Sequence, residues 1–268
     1  MVSLSVCSYR RRLGGMLAAR RRQLILDAVR NGAGVEVAQL AQRFSVSAMT
    51  VRRDLAQMAD EGKLSRVRGG ALSDRHEPPF ADIVVERLEA KECIGATAAG
   101  MVADGQTVMV DIGTTTLQLA RHLHGRDITV VTSSLAVLEE LLPDPQVELV
   151  VLGGAVRRNY RSLVGVLAEG ALGQLSADVA FLGASGVDTA AVLDTTMVEV
   201  AIKRGMIAAA RRIGLLVDAQ KFSMHGAVRV CPLGALDVVV TDAGADEPGI
   251  AALVECGVQV VHTNDRAR

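Results

Sequence analysis

The chain has very few aromatic residues and no tryptophan. Of its 268 residues, 2% are aromatic while 50% are hydrophobic, so its core must be built mostly from Val, Leu, Ile and Ala. No apolar run approaches the roughly 18 residues that a membrane-spanning helix needs. The first 16 residues contain arginines but no long apolar stretch, unlike a secretory signal. These absences favour a soluble, cytoplasmic protein.

Cysteine is also scarce. The four cysteines, Cys7, Cys93, Cys231 and Cys256, are scattered and lack the spacing of a metal site. We interpret them as reduced, mostly buried thiols, as expected inside a cell. The sequence indicates no metal and no redox cofactor.

The net charge of −1 conceals an uneven distribution. Residues 1–75 contain 14 Lys and Arg against 6 Asp and Glu, a balance of +8. Residues 76–268 contain 15 basic against 24 acidic residues, a balance of −9. A small basic module joined to a larger acidic one is typical of a polyanion binder fused to a second domain.

Three helical patterns follow one another in the basic part of the chain. Apolar residues recur at helical spacing over 20–29 and again over 37–44. A three-residue turn then leads to a third helix, in which Val51, Leu55 and Met58 point inward at positions i, i+4 and i+7. This order of elements is typical of a helix-turn-helix.

The third helix has the features of a recognition helix. Ser47 is placed to cap it by accepting a hydrogen bond from a backbone N–H near Thr50. Because the apolar stripe faces inward, Arg52 and Arg53 lie mainly on the outward side. Arginines in the first turns of such a helix can pair with guanine or with phosphates in the major groove.

A basic hairpin follows the third helix. Residues 64–68 are predicted to form a strand, and Gly69 and Gly70 permit a tight turn. Arg66 and Arg68 alternate with Val67, so both would face the same side, where phosphates can lie. A small bundle with a solvated arginine face is the alternative, but the complete order of elements favours DNA binding. The predicted DNA-binding residues are Ser47, Met49, Thr50, Arg52, Arg53, Arg66 and Arg68.

These elements resemble the DNA-binding domain of the DeoR family of bacterial transcription regulators, also called GlpR-type repressors. The matching string over residues 45–71 is SVSAMTVRRDLAQMADEGKLSRVRGGA. Arg68 stands where the family often has histidine. Family members often begin with a segment like the one at Met16, so residues 1–15 are interpreted as a disordered extension or as the product of a misassigned start codon.

The chain divides at a polar, proline-containing segment. We expect a winged helix-turn-helix domain over 16–73, a linker over 74–83 and a larger domain over 84–268. The larger domain is predicted to begin with a helix over 84–103.

Short β-branched runs alternate with helical patterns in the larger domain. This rhythm predicts an α/β fold with a largely parallel sheet covered by helices, in which ligands bind beyond the carboxyl ends of the strands. The predicted strands are 107–112, 128–132, 147–152, 179–182, 213–218, 238–241 and 258–262.

Small or polar loops follow five of these strands. The clearest is 111–116, where a glycine and three threonines open a helix, an arrangement that suits a phosphate. Taken alone, this loop is more simply a threonine-capped helix, and the loops at 132–134, 153–154, 183–186 and 218–221 are ordinary turns. Together, at one edge of a sheet, they predict a shared anion pocket.

The resemblance extends over nearly all of 16–268 and includes the DeoR-type sensor domain, whose fold is similar to ribose-5-phosphate isomerase and the coenzyme A transferases. It implies a phosphorylated sugar or related metabolite as effector. The effector-binding residues that it implies are Asp111, Gly113, Thr114, Thr115, Thr116, Thr132, Ser133, Gly153, Gly154, Gly183, Ser185, Glu199, Lys203 and Lys221. The chain departs from the family pattern at Ser133, where asparagine is common, and at Ala219-Gln220, which puts the choice of sugar in question.

Two other functions are compatible with these domains. One is a sugar-phosphate isomerase fused to a DNA-binding domain, but the isomerases carry an Asp-Gly-Ala-Asp-Glu string where this chain has no carboxylate over 182–186. Asp188, Glu199 and Lys221 are the remaining reactive side chains. The other is a nucleoid-type DNA binder with an inert carboxyl-terminal scaffold, which would not respond to any phosphorylated metabolite.

The sequence therefore predicts a transcription regulator without enzymatic activity. Its expected partners are double-stranded operator DNA, a phosphorylated sugar and further copies of the same chain, as a dimer or a tetramer. Repression of sugar-metabolism genes is the expected outcome, with activation left open.

Overall fold

The structure, a computed structural model, divides into two compact units, Met1–Pro78 and Pro79–Arg268. They are called here the amino-terminal unit and the carboxyl-terminal unit. The residues that the structure describes are 18, 20–25, 35–44, 46–60, 65–67, 70–72, 80–158, 160–224 and 226–263. The interpretation of residues 1–15 and the predicted DNA contact of Arg68 lie outside these described residues.

The amino-terminal unit contains the predicted helices and a small antiparallel sheet. The described helical segments are α1 (20–25), α2 (Val37–Phe44) and α3 (Ala48–Asp60). The strands are β1 (Val35–Glu36), β2 (Ser65–Val67) and β3 (Gly70–Leu72), in the order β1-β3-β2. The prediction of a hairpin is confirmed, while the two-residue strand β1 gave no signal in the sequence.

The core of this unit confirms the inward face predicted for α3. Val51, Leu55 and Met58 are all buried. They pack in one cluster with Ile25 of α1 and Leu40 of α2. The opposite side of α3 is therefore turned away from its own domain.

The carboxyl-terminal unit is built on a seven-stranded parallel sheet. All seven predicted strands are present, in the spatial order β15-β14-β12-β9-β4-β5-β6. They are β4 (Thr107–Val110), β5 (Ile128–Thr132), β6 (Val147–Val151), β9 (Val179–Leu182), β12 (Ile213–Leu216), β14 (Val238–Thr241) and β15 (Gln259–His262).

Helices cover both faces of the sheet, and two separate apolar clusters lie on its two sides, as expected for parallel strands. The helices are α4 (Phe80–Ile83), α5 (Leu88–Ala99), α6 (Thr114–Arg121), α7 (Leu135–Leu141), α8 (Val166–Leu172), α9 (Met197–Ala209) and α10 (Pro248–Glu255). From β4 the chain runs outward through β5 to β6 and returns to the other side at β9. The strand order therefore switches direction between β4 and β9, where ligands bind in open α/β sheets.

The predicted helix over 84–103 is present as α5, but its bounds were wrong at both ends. Residues 84–87 form a turn after α4, and α5 ends at Ala99. Arg87 adopts a left-handed conformation with φ of 49°, which interrupts helical geometry. Its guanidinium pairs with Asp242, and its Nε lies 3.5 Å from Asp218 Oδ1. These contacts are made 131 or more positions along the chain, so the local apolar periodicity gave no sign of the break.

Short antiparallel elements complete the unit and were not predicted. Strands β7 (Ala155–Arg157) and β8 (Ser162–Val164) form a two-stranded hairpin. Strands β10 (Gly186–Val187), β11 (Ala191–Asp194) and β13 (Val228–Pro232) form a second small sheet. The 3-10 turns are Ala219–Phe222 and Leu233–Ala235. Most of these segments are too short for an alternating pattern to be recognised.

The cysteines differ from the expectation. Cys231 is buried, but Cys93 and Cys256 are exposed, so the interpretation of mostly buried thiols is wrong for two of the three described cysteines. Among the described residues there is no helix long and apolar enough to cross a membrane.

Candidate DNA-binding and effector-binding sites

The start of α3 has the cap that the sequence predicts. Ser47 Oγ accepts a hydrogen bond from the backbone N–H of Thr50 at 3.1 Å, and the two hydroxyl oxygens lie 2.9 Å apart. Because this bond satisfies one of the free amide groups of the first turn, it fixes where the helix begins.

The outward side of α3 presents its candidate DNA-binding residues to solvent. Arg52 and Arg53 are exposed, and 56% of Met49 is accessible. The buried stripe described above anchors the same turns to the domain core. The helix can therefore offer two guanidinium groups and an apolar side chain to a groove without disturbing its own packing.

A buried carboxylate, which sequence reasoning missed, holds α1 against α3. Asp54 Oδ2 accepts a hydrogen bond from Arg21 Nε at 2.7 Å, and Asp54 Oδ1 lies 3.7 Å from Arg22 Nη1. Arg22 Nη1 also donates to Gln57 Oε1 at 2.8 Å. Arg21 and Arg22 of α1 are thus engaged within the unit, whereas Arg52 and Arg53 of α3 face outward. The sequence showed the charges but not their pairing over 33 positions.

The hairpin places Arg66 in the middle of β2. It lies opposite Ala71 of β3, and Val67 lies opposite Gly70. This register supports a wing next to α3, with which both strands pack.

At the carboxyl edge of the parallel sheet, three predicted residues meet at the switch between β4 and β9. Asp111 follows β4, and its Oδ2 accepts a hydrogen bond from the backbone N–H of Gly183, which follows β9, at 3.0 Å. The ammonium group of Lys203 on α9 donates to the same carboxylate and to the Gly183 carbonyl oxygen at 3.0 Å. Both side chains are buried.

The buried charges around Lys203 act on one another. Burial alone would lower the pKa of Lys203, but the carboxylates of Asp111, Asp194 and Glu199 outweigh it and raise that pKa well above its ordinary range. Asp194 Oδ2 lies 3.5 Å from the ammonium nitrogen and was not among the predicted residues. Burial raises the pKa of Asp111, against the opposing pull of Lys203. Lys203 therefore keeps its proton, and Asp111 is held less firmly in its charged form.

Glu199 lies one turn before Lys203 on α9 and is also buried. Its Oε1 accepts a hydrogen bond from Ser162 Oγ at 2.6 Å and pairs with the guanidinium of Arg157. Burial raises the pKa of Glu199, while these two partners oppose the rise. Both partners belong to the β7–β8 hairpin and were missed, because spacings of 37 and 42 positions carry no signal in a sequence.

The helix that follows Asp111 begins without a threonine cap. Its N-cap is Gly113, with φ of 133°, which has no side chain to accept from the first-turn amides. The simpler interpretation of this loop as a threonine-capped helix is therefore wrong. Thr116 Oγ1 donates to the Gly113 carbonyl oxygen at 3.1 Å, and Thr114 and Thr115 are buried. The arrangement suits an anion because amide groups at a helix amino terminus carry partial positive charge.

The two predicted hydroxyls after β5 differ in their roles. Thr132 Oγ1 donates to the Val110 carbonyl oxygen at 2.7 Å and accepts from the Ser134 amide at 3.0 Å, so it joins neighbouring strands. Ser133 Oγ, in contrast, is buried without a hydrogen-bond partner among the described residues. The same holds for Asp111 Oδ1 and Glu199 Oε2. Buried polar atoms normally have hydrogen-bond partners. These three oxygens therefore mark a place where a ligand can provide the missing partners.

The remaining predicted residues lie near this edge in other roles. Ser185 Oγ donates to Asp194 Oδ1 at 3.4 Å. Gly153 and Gly154 follow β6, and a Cβ on Gly154 would lie 2.5 Å from the Val164 carbonyl oxygen, so this glycine permits close approach of the hairpin.

Lys221 has its own set of neighbours. It lies in the 3-10 turn after β12, where its Nζ is 3.8 Å from Met224 Sδ. Burial lowers the pKa of Lys91, and the nearby charge of Lys221 lowers it further, while Asp218 acts in the opposite direction. Within the described part of the chain, no hydrogen bond links Lys221 to Asp111 or Lys203.

Comparison with known proteins covers both units. Residues 21–77 match the model of the DeoR-like helix-turn-helix domain, and residues 86–243 match that of the DeoR C terminal sensor domain. The chain is 35% identical over 244 residues to an uncharacterized HTH-type transcriptional regulator, YgbI, of Escherichia coli K12, covering 90% of this chain and 96% of the relative. It is 31% identical to the glycerol-3-phosphate regulon repressor of the same organism, covering 85% and 92%.

Among solved structures, ribose 5-phosphate isomerase A from Methanocaldococcus jannaschii is similar at 16% identity and a TM-score of 0.38. The likeness covers 51% of this chain and 55% of the isomerase.

Proposed function

Because this chain belongs to the DeoR family of transcription regulators, we propose that it represses genes of sugar metabolism and that a phosphorylated sugar controls its binding to operator DNA. The relatives that it matches are regulators rather than enzymes, and the chain acts on gene expression without catalysing a reaction. The proposed effector binds at the carboxyl edge of the parallel sheet.

The amino-terminal unit supports the DNA-binding part of the proposal. Its recognition helix α3 is capped, anchored by a buried stripe and open on the side that carries Arg52 and Arg53. The excess of positive charge over residues 1–75 would attract the DNA backbone at long range.

One observation carries the effector part: three buried oxygens without partners belong to residues at the same carboxyl edge of the sheet as the amino terminus of α6, which has no side-chain cap. The amides of α6 suit a phosphate. The oxygens of Asp111, Glu199 and Ser133 accept hydrogen bonds, so they suit a ligand segment rich in hydroxyl donors. A phosphate joined to a hydroxylated carbon chain combines both chemistries, as in glycerol 3-phosphate, which appears in the name of one relative.

The regulator is further proposed to act as a cytoplasmic homo-oligomer. Two or more amino-terminal units would then contact repeated half-sites on the operator, which raises specificity beyond that of one short helix. Light scattering of the purified chain would test the oligomeric state directly.

Calorimetric titration tests the effector site. Glycerol 3-phosphate, ribose 5-phosphate and fructose 6-phosphate are compared with glycerol, ribose and fructose. We expect binding by at least one phosphorylated compound and by none of its unphosphorylated counterparts. A Thr115→Val variant should bind that compound more weakly, because a hydroxyl beside the α6 amides is replaced by a methyl group. Thr129→Val, on β5 with its hydroxyl 3.1 Å from Glu148 Oε2, is the matched control.

Normal binding by Thr115→Val would place the phosphate elsewhere. Absence of binding by every phosphorylated compound would remove the sensing role and favour the inert-scaffold alternative.

Anisotropy titrations test the DNA-binding face. A duplex is first selected from a random pool by the wild-type protein. Arg52→Ala or Arg53→Ala should weaken binding by about 1–3 kcal/mol where the arginine contacts a base, or reduce the salt slope by about 1 where it contacts a phosphate. Arg211→Ala removes an exposed arginine of the carboxyl-terminal unit and serves as the control. Equal effects of all three changes would contradict the assignment of α3.

A further inference from the structure

A continuous series of side-chain contacts leads from Glu199, in the proposed effector site, to Phe80, at the start of the carboxyl-terminal unit. Glu199 pairs with Arg157. The Arg157 guanidinium lies over the ring of Tyr160, 5.9 Å from its centroid. Tyr160 meets Phe80 edge to face, with ring centroids 6.1 Å apart. Such cation–π and aromatic contacts are directional, so each residue constrains the position of the next.

Phe80 is the first described residue of the carboxyl-terminal unit. It lies within the predicted linker over 74–83, of which residues 80–83 form α4 and residues 74–79 lie outside the described residues. The division between the units falls between Pro78 and Pro79. Phe80 itself is buried with Leu117 of α6 and Ala136 of α7. Its ring is therefore the anchor nearest to the linker in the described part of this unit. Any movement of the ring would shift the end of the linker.

The β7–β8 hairpin spans the distance between these two points. β8 packs against both α7 and α9. The Leu163 amide donates to the Ser133 carbonyl oxygen at 2.8 Å, and the Leu135 amide donates to the Arg161 carbonyl oxygen at 2.8 Å. The Arg161 guanidinium lies over the Phe80 ring, 5.9 Å from its centroid. One short hairpin thus contacts the pocket on one side and the linker anchor on the other.

Tyr160 and Phe80 are unusual for this chain. Only six of its 268 residues are Phe or Tyr, and the apolar clusters of the sheet are built almost entirely from aliphatic side chains. Two of the six aromatic residues meet in this one contact. An aliphatic pair would fill the space, but it would lack the preferred relative orientation of an edge-to-face pair.

We propose that the β7–β8 hairpin couples effector binding to the linker through Arg157, Tyr160 and Phe80. This rests on the proposed function of the pocket. In the structure, Arg157 pairs with Glu199. When the phosphorylated effector binds, its hydroxyl groups donate to Glu199, and Arg157 turns to the effector's phosphate. Tyr160 follows the guanidinium, and the Phe80 anchor moves. The effector favours one hairpin position because it makes these contacts only there.

A double-mutant cycle on the full-length chain tests the route without a known effector. Glu199→Gln imitates the ligand's effect by weakening the hold on Arg157. Affinity for the selected DNA duplex is measured for the wild type, Glu199→Gln, Tyr160→Leu and the double variant. We expect Glu199→Gln to change the affinity at least about 5-fold, the lower end of ordinary allosteric coupling. Tyr160→Leu alone should leave it within about 2-fold, since Tyr160 is not among the predicted DNA-binding residues.

The decisive result is the double variant. In the Tyr160→Leu background, Glu199→Gln should lose its effect, while in a Tyr160→Phe background, which keeps the ring, the effect should remain. Equal effects in all backgrounds, or none in the wild type, would overturn the coupling route. The calorimetric panel separates this failure from failure of the proposed function: a sugar phosphate that binds and changes DNA affinity while the cycle is additive would exclude the hairpin and retain the sensor.

Discussion

At the scale of single residues, Lys203 organises the buried charges of the proposed effector site. Its ammonium group bonds to Asp111 and to the Gly183 carbonyl oxygen and lies near Asp194. Removing one partner from a buried charge pair leaves the others uncompensated, which costs more than the pair itself contributes. Lys203 therefore stabilises the fold by compensating buried carboxylates, in addition to any contact with a ligand.

Lys203 and Lys221 should differ in how much they stabilise the fold, although the family resemblance implies the same role for both. Lys203→Met should lower the free energy of unfolding by about 3–5 kcal/mol, because the Asp111 carboxylate would remain buried without its counter-ion. Lys221→Met, at a partly exposed position in a 3-10 turn, should cost less than about 1 kcal/mol. Urea unfolding of both variants at neutral pH is the measurement. Similar losses for the two variants would argue against the buried pair.

The sequence predicted some residues of the charge cluster around Lys203 but not their partners. Asp111, Glu199 and Lys203 were predictable from the family pattern, since they occupy fixed positions relative to a strand end or along one helix. Their partners Asp194, Arg157 and Ser162 were not, because each comes from a short antiparallel segment without a recognisable period. The pairing of charges depends on how distant segments fold together, which no local pattern records.

At the scale of elements, the β7–β8 hairpin depends on one glycine. Gly154 has a φ of 154°, and a Cβ there would meet the Val164 backbone. Its neighbour Gly153 has nothing within 4 Å of the same position. The two adjacent glycines therefore differ sharply in what they allow, although the sequence presents them as one turn.

Alanine should therefore be tolerated at Gly153 but not at Gly154. Gly154→Ala should lower the free energy of unfolding by about 1–3 kcal/mol, because the added methyl group forces strain or displacement of the hairpin. Gly153→Ala should change it by no more than about 0.5 kcal/mol. Thermal or urea unfolding of the pair provides the test. Equal tolerance of both changes would show that the close approach to Val164 does not constrain the hairpin.

Element prediction succeeded where the physical signal was local and repeated. The seven strands of the main sheet are short apolar runs, most of them rich in β-branched residues, and the five inner strands are largely buried, so each was visible in the sequence. The helix over 84–103 was predicted with the wrong bounds, because a left-handed Arg87 held by Asp218 and Asp242 delays its start to Leu88. Tertiary contacts overrode local preference there.

At the scale of the whole molecule, the charge is divided between the two units. The positive balance lies in residues 1–75 and the negative balance in residues 76–268. This division favours DNA binding by the first unit alone, since the acidic second unit is repelled by phosphate backbones. The second unit then affects DNA binding only through the linker or through oligomerisation.

Coupling between the effector and the operator must be reciprocal. If a sugar phosphate weakens binding to the selected duplex by some factor, saturating duplex must weaken binding of that sugar phosphate by the same factor, in the range of about 5- to 150-fold for typical coupling. Titrating the sugar phosphate with and without duplex measures this directly. If saturating duplex leaves binding of the sugar phosphate unchanged, the two sites are uncoupled, and the proposed control of DNA binding by the effector is contradicted.

The position of Tyr160 makes its intrinsic fluorescence a reporter of the hairpin. The chain has no tryptophan, and its second tyrosine is Tyr9, so a Tyr9→Phe variant would emit from a single phenol ring. That ring lies between the Arg157 guanidinium and Phe80, and its emission intensity depends on these neighbours. Rearrangement of the hairpin could then be followed in real time by stopped-flow fluorescence, with no dye attached.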